Sequence, residues 1–549
     1  MPTFNNITRR DFLKGSAIAL PLAAAASAFI SACSRDKKIS GVIVNDNSKA
    51  GHLIRDGFKG KPTKTQEVPI LIVGSGISGL TTAYQLSKNN ITDYLLLDLA
   101  PAHGGNAAAG NNAISSYPWA AHYLPVVNNT NTALISFLKD HNIITGFDTK
   151  GLPVYNEYYL CFDPEERLFI NGHWQDGLVP AFGLSEPEKK EIARFFDIVN
   201  DYKKKTGSDG KPAFEIPLKN SSADDIFRQL DKVSFSEFLS SHGFHSENLL
   251  WYLQYCCKDD YGATLKDTSA YAGLHYFCAR RAMAANAESS AVLTWPQGNA
   301  FLADLLYQPC KKNIRNNNLV TSVSLVNGKV HVISLDTVSN ECTEYICSQV
   351  VLSCPQYVND RIMAADLKTN RQSPQLFEYT PWIVANITVT DLPEYSGEPL
   401  SWDNVIKNSP SLGYVNACHQ HLNVKRNGLV LTYYLPLTGI DTKQARKQLR
   451  EKTHAQMAQE IIKDLGKAHK DIEKYITNID IKTWGHGMIK PKPDFIFNAE
   501  LKKYAAPVHN KIFFAHTDLA GISIFEEAFA QGTEAATQLI QLRHGVSEA

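Results

Sequence analysis

The sequence has no surplus of either charge: 55 Lys and Arg stand against 55 Asp and Glu in 549 residues. A nucleic-acid partner calls for a basic excess on one face, so that class is set aside. Among ten cysteines there is no C-x-x-C pair and no Cys/His group at zinc-ligand spacing. That removes zinc ribbons, dithiol redox centres and any evident metal site. Past the first 35 residues no run is apolar enough to span a bilayer. No internal repeat or low-complexity stretch stands out, which excludes solenoids and arrays. What remains is a globular chain too long for one core, for which two or three domains are expected. Cys342 and Cys347 are spaced to close a small loop in an oxidising compartment, but buried small hydrophobes are the simpler reading of the cysteines.

The first 35 residues read as an address. Thr8-Arg9-Arg10-Asp11-Phe12-Leu13-Lys14 resembles the twin-arginine export signal, and a run of small apolar residues follows from Ala17 to Ala32. The run ends in Ile30-Ser31-Ala32-Cys33, which is similar to the lipobox of bacterial lipoproteins. The resemblance implies recognition by the twin-arginine machinery, export of an already folded protein, and acylation of Cys33. The acyl chains would hold the protein on a membrane surface at the periplasmic side of a bacterial envelope. Cleavage without acylation is the alternative at Cys33. Folded export is typically needed when a cofactor is inserted in the cytoplasm. Residues 34–66 are polar, with little apolar periodicity, and read as a tether that partly packs on the surface.

Val68-Pro69-Ile70-Leu71-Ile72-Val73 reads as a strand buried on both faces. Gly74-Ser75-Gly76-Ile77-Ser78-Gly79 follows, then a helical stretch from Leu80 to Lys88, then a second strand, Tyr94 to Leu97, ending in Asp98. This is a β-α-β unit with the spacing of a dinucleotide site. Gly74 permits the tight turn, Gly76 lets a diphosphate approach the backbone, and Gly79 lets the helix lie close to the strand. The helix start offers free N–H groups and partial positive charge to the phosphates. Asp98, 24 residues after Gly74, is placed to accept from ribose hydroxyls, and its charge disfavours a 2′-phosphate.

Beyond Asp98 stand Gly104, Gly105 and Asn106. Far downstream, Lys511 to Asp518 reads as a strand and acidic turn, and Glu526-Glu527-Ala528 opens a helix. The Gly-Gly pair and this distant strand–acid–helix layout together resemble the flavin-containing amine oxidase superfamily, which includes protoporphyrinogen oxidases and phytoene desaturases. The resemblance implies FAD as cofactor. It implies contacts from Gly105, from Asn106 (where Arg is usual), from Asp518 to the ribityl chain, from Ile524 at the helix start, and from the Val323 main chain to adenine. Two departures are His516, where Gly is common, and Glu527 in place of Gly. The hairpin signal at Asn327-Gly328 fits the superfamily's meander.

The expected fold is α/β: a doubly wound, Rossmann-like FAD-binding domain of residues 67–130, 285–375 and 478–549, interleaved with a mixed α+β substrate domain of 131–284 and 376–477. Ser185 to Lys205, Ser221 to Ser241 and Lys443 to Leu465 read as helices, and Trp382 to Val389 as a strand. In monoamine-oxidase-like proteins a lysine on that strand contacts flavin N5 through water; here Ala385 or Asn386 falls at that place. His122, after Tyr117-Pro118-Trp119, and His486, within Trp484-Gly485-His486-Gly487, are the candidate bases near the ring, by the ordinary pKa of imidazole. Asp259 and Asp260 are candidates to attract a cation, or else a solvated turn or local ion pair. The resemblance implies an oxidoreductase that takes a hydride from an amine, polyamines among the candidates, and passes electrons to oxygen, a quinone or a carrier. A C–C desaturase of protoporphyrinogen-oxidase type and a non-catalytic flavoprotein scaffold are the alternatives.

Overall fold

The structure, a computed structural model, describes residues 39–44, 47–58, 60–393, 395–422 and 427–545. The twin-arginine segment and Cys33 lie outside these residues. All elements below belong to the unit Gly41–Ala549.

Strand Lys64–Val73 lies between Tyr94–Leu97 and Cys342–Leu352, parallel to both, with Ile314–Arg315 and Ile512–Phe514 extending the parallel arrangement. Asn318–Val326, Lys329–Asp336 and Cys342–Leu352 form the antiparallel meander on the other side of this seven-stranded sheet. The hairpin at its centre turns on Asn327 and Gly328, both at positive φ (49° and 74°), as a two-residue turn of matching twist requires. The run Ile70–Val73 is buried throughout because helices cover both faces. Helix Ile77–Lys88 and the closing helix Phe525–Arg543 pack against each other on one face. Their approach is so close that a Cβ on Gly532 would fall 2.3 Å from the Ser78 carbonyl oxygen.

A second, eight-stranded sheet is assembled from distant pieces: Ile43–Val44, Ile476–Ile489, Tyr379–Val389, Leu429–Pro436, Tyr414–Asn416, Asp403–Ile406, Glu166–Ile170 and His173–Asp176, in that spatial order. Helices Glu186–Lys204, Phe235–Ser241, Glu247–Tyr261 and Ala270–Cys278 bury a common core around Phe195, Phe214, Phe235 and Tyr271. Ser185 and Glu188 form a capping box at the first of these helices, with proline in its opening turn.

Three expectations change. The stretch 221–241 is not one helix but Asp225–Arg228, a 3-10 turn Gln229–Lys232 and Phe235–Ser241, because Ser234 caps a new start with Glu237. The stretch 443–465 divides into Thr442–Glu451 and His454–Leu465, where Thr453 and Gln456 make another capping box. The supposed tether holds a strand, Ile43–Val44, and a helix, Ser48–Arg55, and strand Lys64–Val73 begins within it. The apolar anchors Leu53 and Ile54, which pack on Leu99, Leu319 and Leu335, are too few to show as periodicity. The nine described cysteines are free thiols; Cys342 and Cys347 sit on one strand, unbridged. Among the described residues no helix is long and apolar enough to cross a membrane.

Gly532→Ala should force the two helices apart, since the clash is with backbone. A loss of about 1–3 kcal/mol is expected in urea unfolding, with the slope of the transition unchanged.

Candidate active site

The glycine loop and the Gly-Gly turn lie side by side. Gly74, at φ 101°, leaves the strand with its N–H donating to the Leu97 carbonyl (2.8 Å). A Cβ on Gly79 would sit 1.9 Å from the Gly74 carbonyl oxygen, so only glycine lets the helix start this close. A Cβ on Gly76 would meet nothing within 4 Å, because that side is open cavity. No side chain caps the helix at Gly76, which leaves its first-turn amides to a ligand. Gly104 N–H donates to the Ser75 carbonyl (2.9 Å), and a Cβ on Gly105 would lie 3.1 Å from the Gly76 Cα.

Asp98 ties this loop to the strand tip. Its Oδ2 accepts from the Ser75 amide (2.5 Å) and its Oδ1 from the Ala100 amide (2.6 Å). Burial pushes its carboxyl above the usual range, and those two amides pull it back. The Asp98 main chain continues into the meander, with its N–H donating to Arg315 (3.0 Å) and its carbonyl accepting from Asn318 (2.7 Å).

From here a cavity of about 950 Å³ runs between the two sheets. Gly74, Gly76, Ile77, Ser78, Asp98, Gly105 and Asn106 all line it. Ser75 and Gly79 do not; Ser75 gives its amide to Asp98 and Gly79 serves helix packing. Val323 is also displaced from its expected role. Its carbonyl accepts from Ala364 (2.9 Å), and the cavity is met instead by Asn318, Leu319 and Val320, the start of the strand nearest Asp98. A bulge at Thr321 then shifts the register along the rest of the strand.

At the far end, loops from the first sheet are fastened to strands of the second. Asn106 Nδ2 donates to Gly487 O (2.8 Å), Trp484 Nε1 to Trp119 O (2.8 Å) and Tyr434 OH to Ala120 O (2.9 Å). Asp518 lines the cavity while Oδ2 accepts from the Gln356 amide (2.8 Å) and the Tyr379 hydroxyl (2.5 Å). His516 accounts for its own presence: its Nδ1 accepts from the Asp518 amide (3.1 Å) and caps the turn. Ile524 lines the cavity at the start of the closing helix, which no side chain caps.

His122 and His486 both line the cavity, but burial pulls each down to about 4. They are neutral imidazoles near pH 7 and poorly suited to hold a proton taken from an ammonium, which corrects the expectation from the ordinary imidazole value. His486 lies stacked on Tyr357 (4.2 Å), and His122 lies against Tyr434 (4.8 Å) and Trp402 (5.6 Å). Asn386 is not in the wall at all. It donates to Pro118 O (3.1 Å) and accepts from Thr432 Oγ1 (2.7 Å) inside the sheet. Val384 and Lys482, opposed across neighbouring strands, line the cavity in its stead.

Asp259 and Asp260 end helix Glu247–Tyr261 and enter the cavity wall. Arg280 donates to both Asp260 oxygens (3.2 and 3.3 Å). Burial raises both carboxyls above the usual range, and Asp260 adds to the shift of Asp259. Glu526, from the closing helix, joins the same wall and is pushed up to about 7 by burial against the pull of Arg280. Asp403 and Glu166, opposite each other on parallel strands, stand behind and interact with Asp259. Sequence reasoning missed Arg280, Asp403 and Glu166, which come from unrelated segments without a spacing to connect them. Among the described residues no group of three or more His, Cys, Asp or Glu side chains is arranged to hold a metal ion.

The pattern of the NAD(P)-binding Rossmann-like domain family matches residues 72–140, from the end of the first strand through the glycine loop and Gly-Gly turn to helix Thr132–Asp140. No curated protein sequence matches the chain. Among solved structures, the fold is similar to wild-type putrescine oxidase bound to putrescine, at 16% identity over 87% of this chain and 99% of that one, with a TM-score of 0.61. It is also similar to cyclohexylamine oxidase from Brevibacterium oxydans IH-35A (14%, 87% and 100%, 0.61) and to a fatty acid isomerase from P. acnes (16%, 87% and 98%, 0.57). The chain therefore has their mixed α/β fold with a Rossmann-like domain.

Asp518→Ala would leave the buried Gln356 N–H and Tyr379 O–H without an acceptor. A stability loss of about 1–3 kcal/mol for each stranded donor is expected in denaturant unfolding.

Proposed function

We propose that this chain is an FAD-dependent oxidoreductase whose substrate is a cationic amine. The observation that carries the reading is one continuous cavity with a dinucleotide cradle at one end and an aromatic, acid-lined chamber at the other. The residues fit the cofactor: Gly76 presents bare backbone to the cavity, the uncapped helix start faces it, and Ser353 Oγ in its wall is buried without a partner. Asp98 would hold the adenosine ribose, the amides around Gly76 the diphosphate, and Asp518 the ribityl chain. When bound, the flavin supplies a two-electron acceptor that takes a hydride and passes electrons to oxygen, a quinone or a carrier.

The chain's own residues do the rest. Trp382, Tyr434 and His122 exclude water and pack the apolar part of a substrate. Asp259 and Glu526 attract its positive charge, and Asp260, held by Arg280, fixes the geometry of that wall. Acids raised by burial are neutral at low pH, so they attract a cation only once they ionise. Conversely, a bound ammonium favours their charged form. We also infer export by the twin-arginine route and a lipid anchor at Cys33, from the order of arginine pair, apolar run and cysteine.

Bleaching of the yellow protein without air, by a panel of mono-, di- and polyamines, is the test. An amine should bleach it, with KM falling as pH rises from about 6 to 8 while the Glu526 group near 7 ionises. Asp259→Asn should raise KM about tenfold or more at pH 8 with a smaller change in kcat. A protein bleached only by apolar or polycyclic donors refutes the amine assignment. Arg9→Lys with Arg10→Lys should leave the precursor in the cytoplasm on fractionation.

A further inference from the structure

Two buried glutamates stand behind the acidic wall without lining the cavity: Glu215, 4% exposed, and Glu527, 2% exposed, the latter in place of the expected glycine. Glutamates are almost never buried so fully unless partners hold them. Both find theirs in one loop of the insert, residues 215–222. Glu527 lies in the first turn of helix Phe525–Arg543, next to Glu526, and its Oε1 accepts from the Leu218 N–H at 2.5 Å. That N–H opens the 3-10 turn Leu218–Asn220, and Pro217 ahead of it has no N–H to give. Two turns further along the same helix, Glu534 accepts from Lys219 Nζ at 2.8 Å. This second tie joins exposed groups and adds little, so the buried bond to Glu527 carries the attachment.

At its other end the loop reaches Arg280. The Glu215 carboxylate accepts from the Asn128 side-chain amide and from the Ile216 N–H (3.1 Å), while the Glu215 N–H donates to Ser221 Oγ (2.8 Å). Asn128 Nδ2 also donates to Ala279 O (2.7 Å), and Asn128 Oδ1 accepts from the Arg281 N–H (2.9 Å). Asn128 thus grips the two residues that flank Arg280, and Glu215 holds Asn128. One loop therefore ends on both sides of an opposed pair in the cavity wall: Arg280, which holds Asp260, and Glu526, which feels Arg280. Arg280 follows helix Ala270–Cys278 and Glu526 opens the closing helix, so neither element alone sets how far apart they stand.

We propose that the loop of residues 215–222 is a brace for the cation-binding wall, and that Glu215 and Glu527 are positioning residues that set Arg280 and Glu526 against one another. This rests on the amine reading above and adds to it residues that do not line the cavity. Burial raises the Glu215 carboxyl and pushes that of Glu527 up to about 7. The brace therefore needs their capacity to accept a hydrogen bond more than their charge, and glutamine should replace either one.

The test uses the flavin-loaded full chain with Glu527→Ala, Glu215→Ala, Glu527→Gln and Glu215→Gln, read by hydrogen–deuterium exchange and by amine kinetics at pH 8. Glu527→Ala should speed exchange about tenfold in segments 213–222 and 523–529, and Glu215→Ala in 213–222 and 278–283, as expected for lost buried hydrogen bonds. KM for an amine that bleaches the parent should rise about fivefold with kcat within about twofold and FAD content unchanged, and both glutamine variants should return to parent values. If Glu527→Ala does not fold, Leu218→Pro removes the donor without touching a carboxylate, and its exchange pattern should be the one expected for Glu527→Ala. Pro217 already has the ψ of 153° that a following proline demands. Faster exchange confined to 213–222 overturns the brace. So does faster exchange in the wall segments with KM unchanged, or an alanine effect that glutamine fails to reverse. A parent bleached by no amine fails the amine reading instead, and exchange in the wall segments then decides the brace alone.

Discussion

One carboxylate organises the nucleotide half of this molecule. Asp98 takes the Ser75 amide in one oxygen and the Ala100 amide in the other, while its own main chain bridges to Arg315 and Asn318. The glycine loop, the tip of the second strand and the start of the meander are thereby fixed around a single side chain. Burial raises its carboxyl above the usual range, and the two amides oppose that shift with the same bonds that shape the loop. Everything the cavity offers at that end depends on this loop holding its form when no ligand is there to template it.

The cavity is electrically divided. Carboxyls from two separate segments, Asp259 with Asp260 and Glu526, meet one paired arginine at the far end, whereas Arg361, Arg446 and Arg450 stand elsewhere in the wall. In water such a division would be screened over about 8–10 Å, but a cavity with protein walls preserves it. A molecule with a cationic end and an anionic neighbour would be oriented before any specific contact forms. The same partition explains the depressed histidines: His486 loses its proton to burial and to the arginines, and His122 to burial alone, opposed by one backbone acceptor.

Sequence reading reached the parts of the fold that are local. The run Val68–Val73, the three spaced glycines and Asp98 lie within one β-α-β unit, where periodicity and turn chemistry act over short distances. Asp518 and Ile524 were legible only through resemblance, since their place beside the first unit is set by a parallel pairing between strands more than 150 residues apart. Val323 lies outside the cavity wall, which its strand meets at Asn318, Leu319 and Val320, ahead of the bulge at Thr321. Asn386 lies outside the wall because its own strand meets the cavity earlier, at Trp382 and Val384, the latter opposite Lys482. Arg280, Asp403 and helix Ser48–Arg55 left no signal at all: each is an ordinary polar residue or a short segment until tertiary structure brings it to the cavity or to the acids that line it.

The pairing of Ile43–Val44 with Ile481–Lys482 has a consequence for the order in which the molecule can be completed. Val42 N–H meets Asp480 Oδ1 across 438 residues of chain, at 3.1 Å. Translation proceeds from the amino end, so the earliest segment of this unit waits for its strand neighbour until nearly nine-tenths of the polypeptide has left the ribosome. Seating of that segment is thus a late event in maturation, and it reports on whether the remainder has already been built.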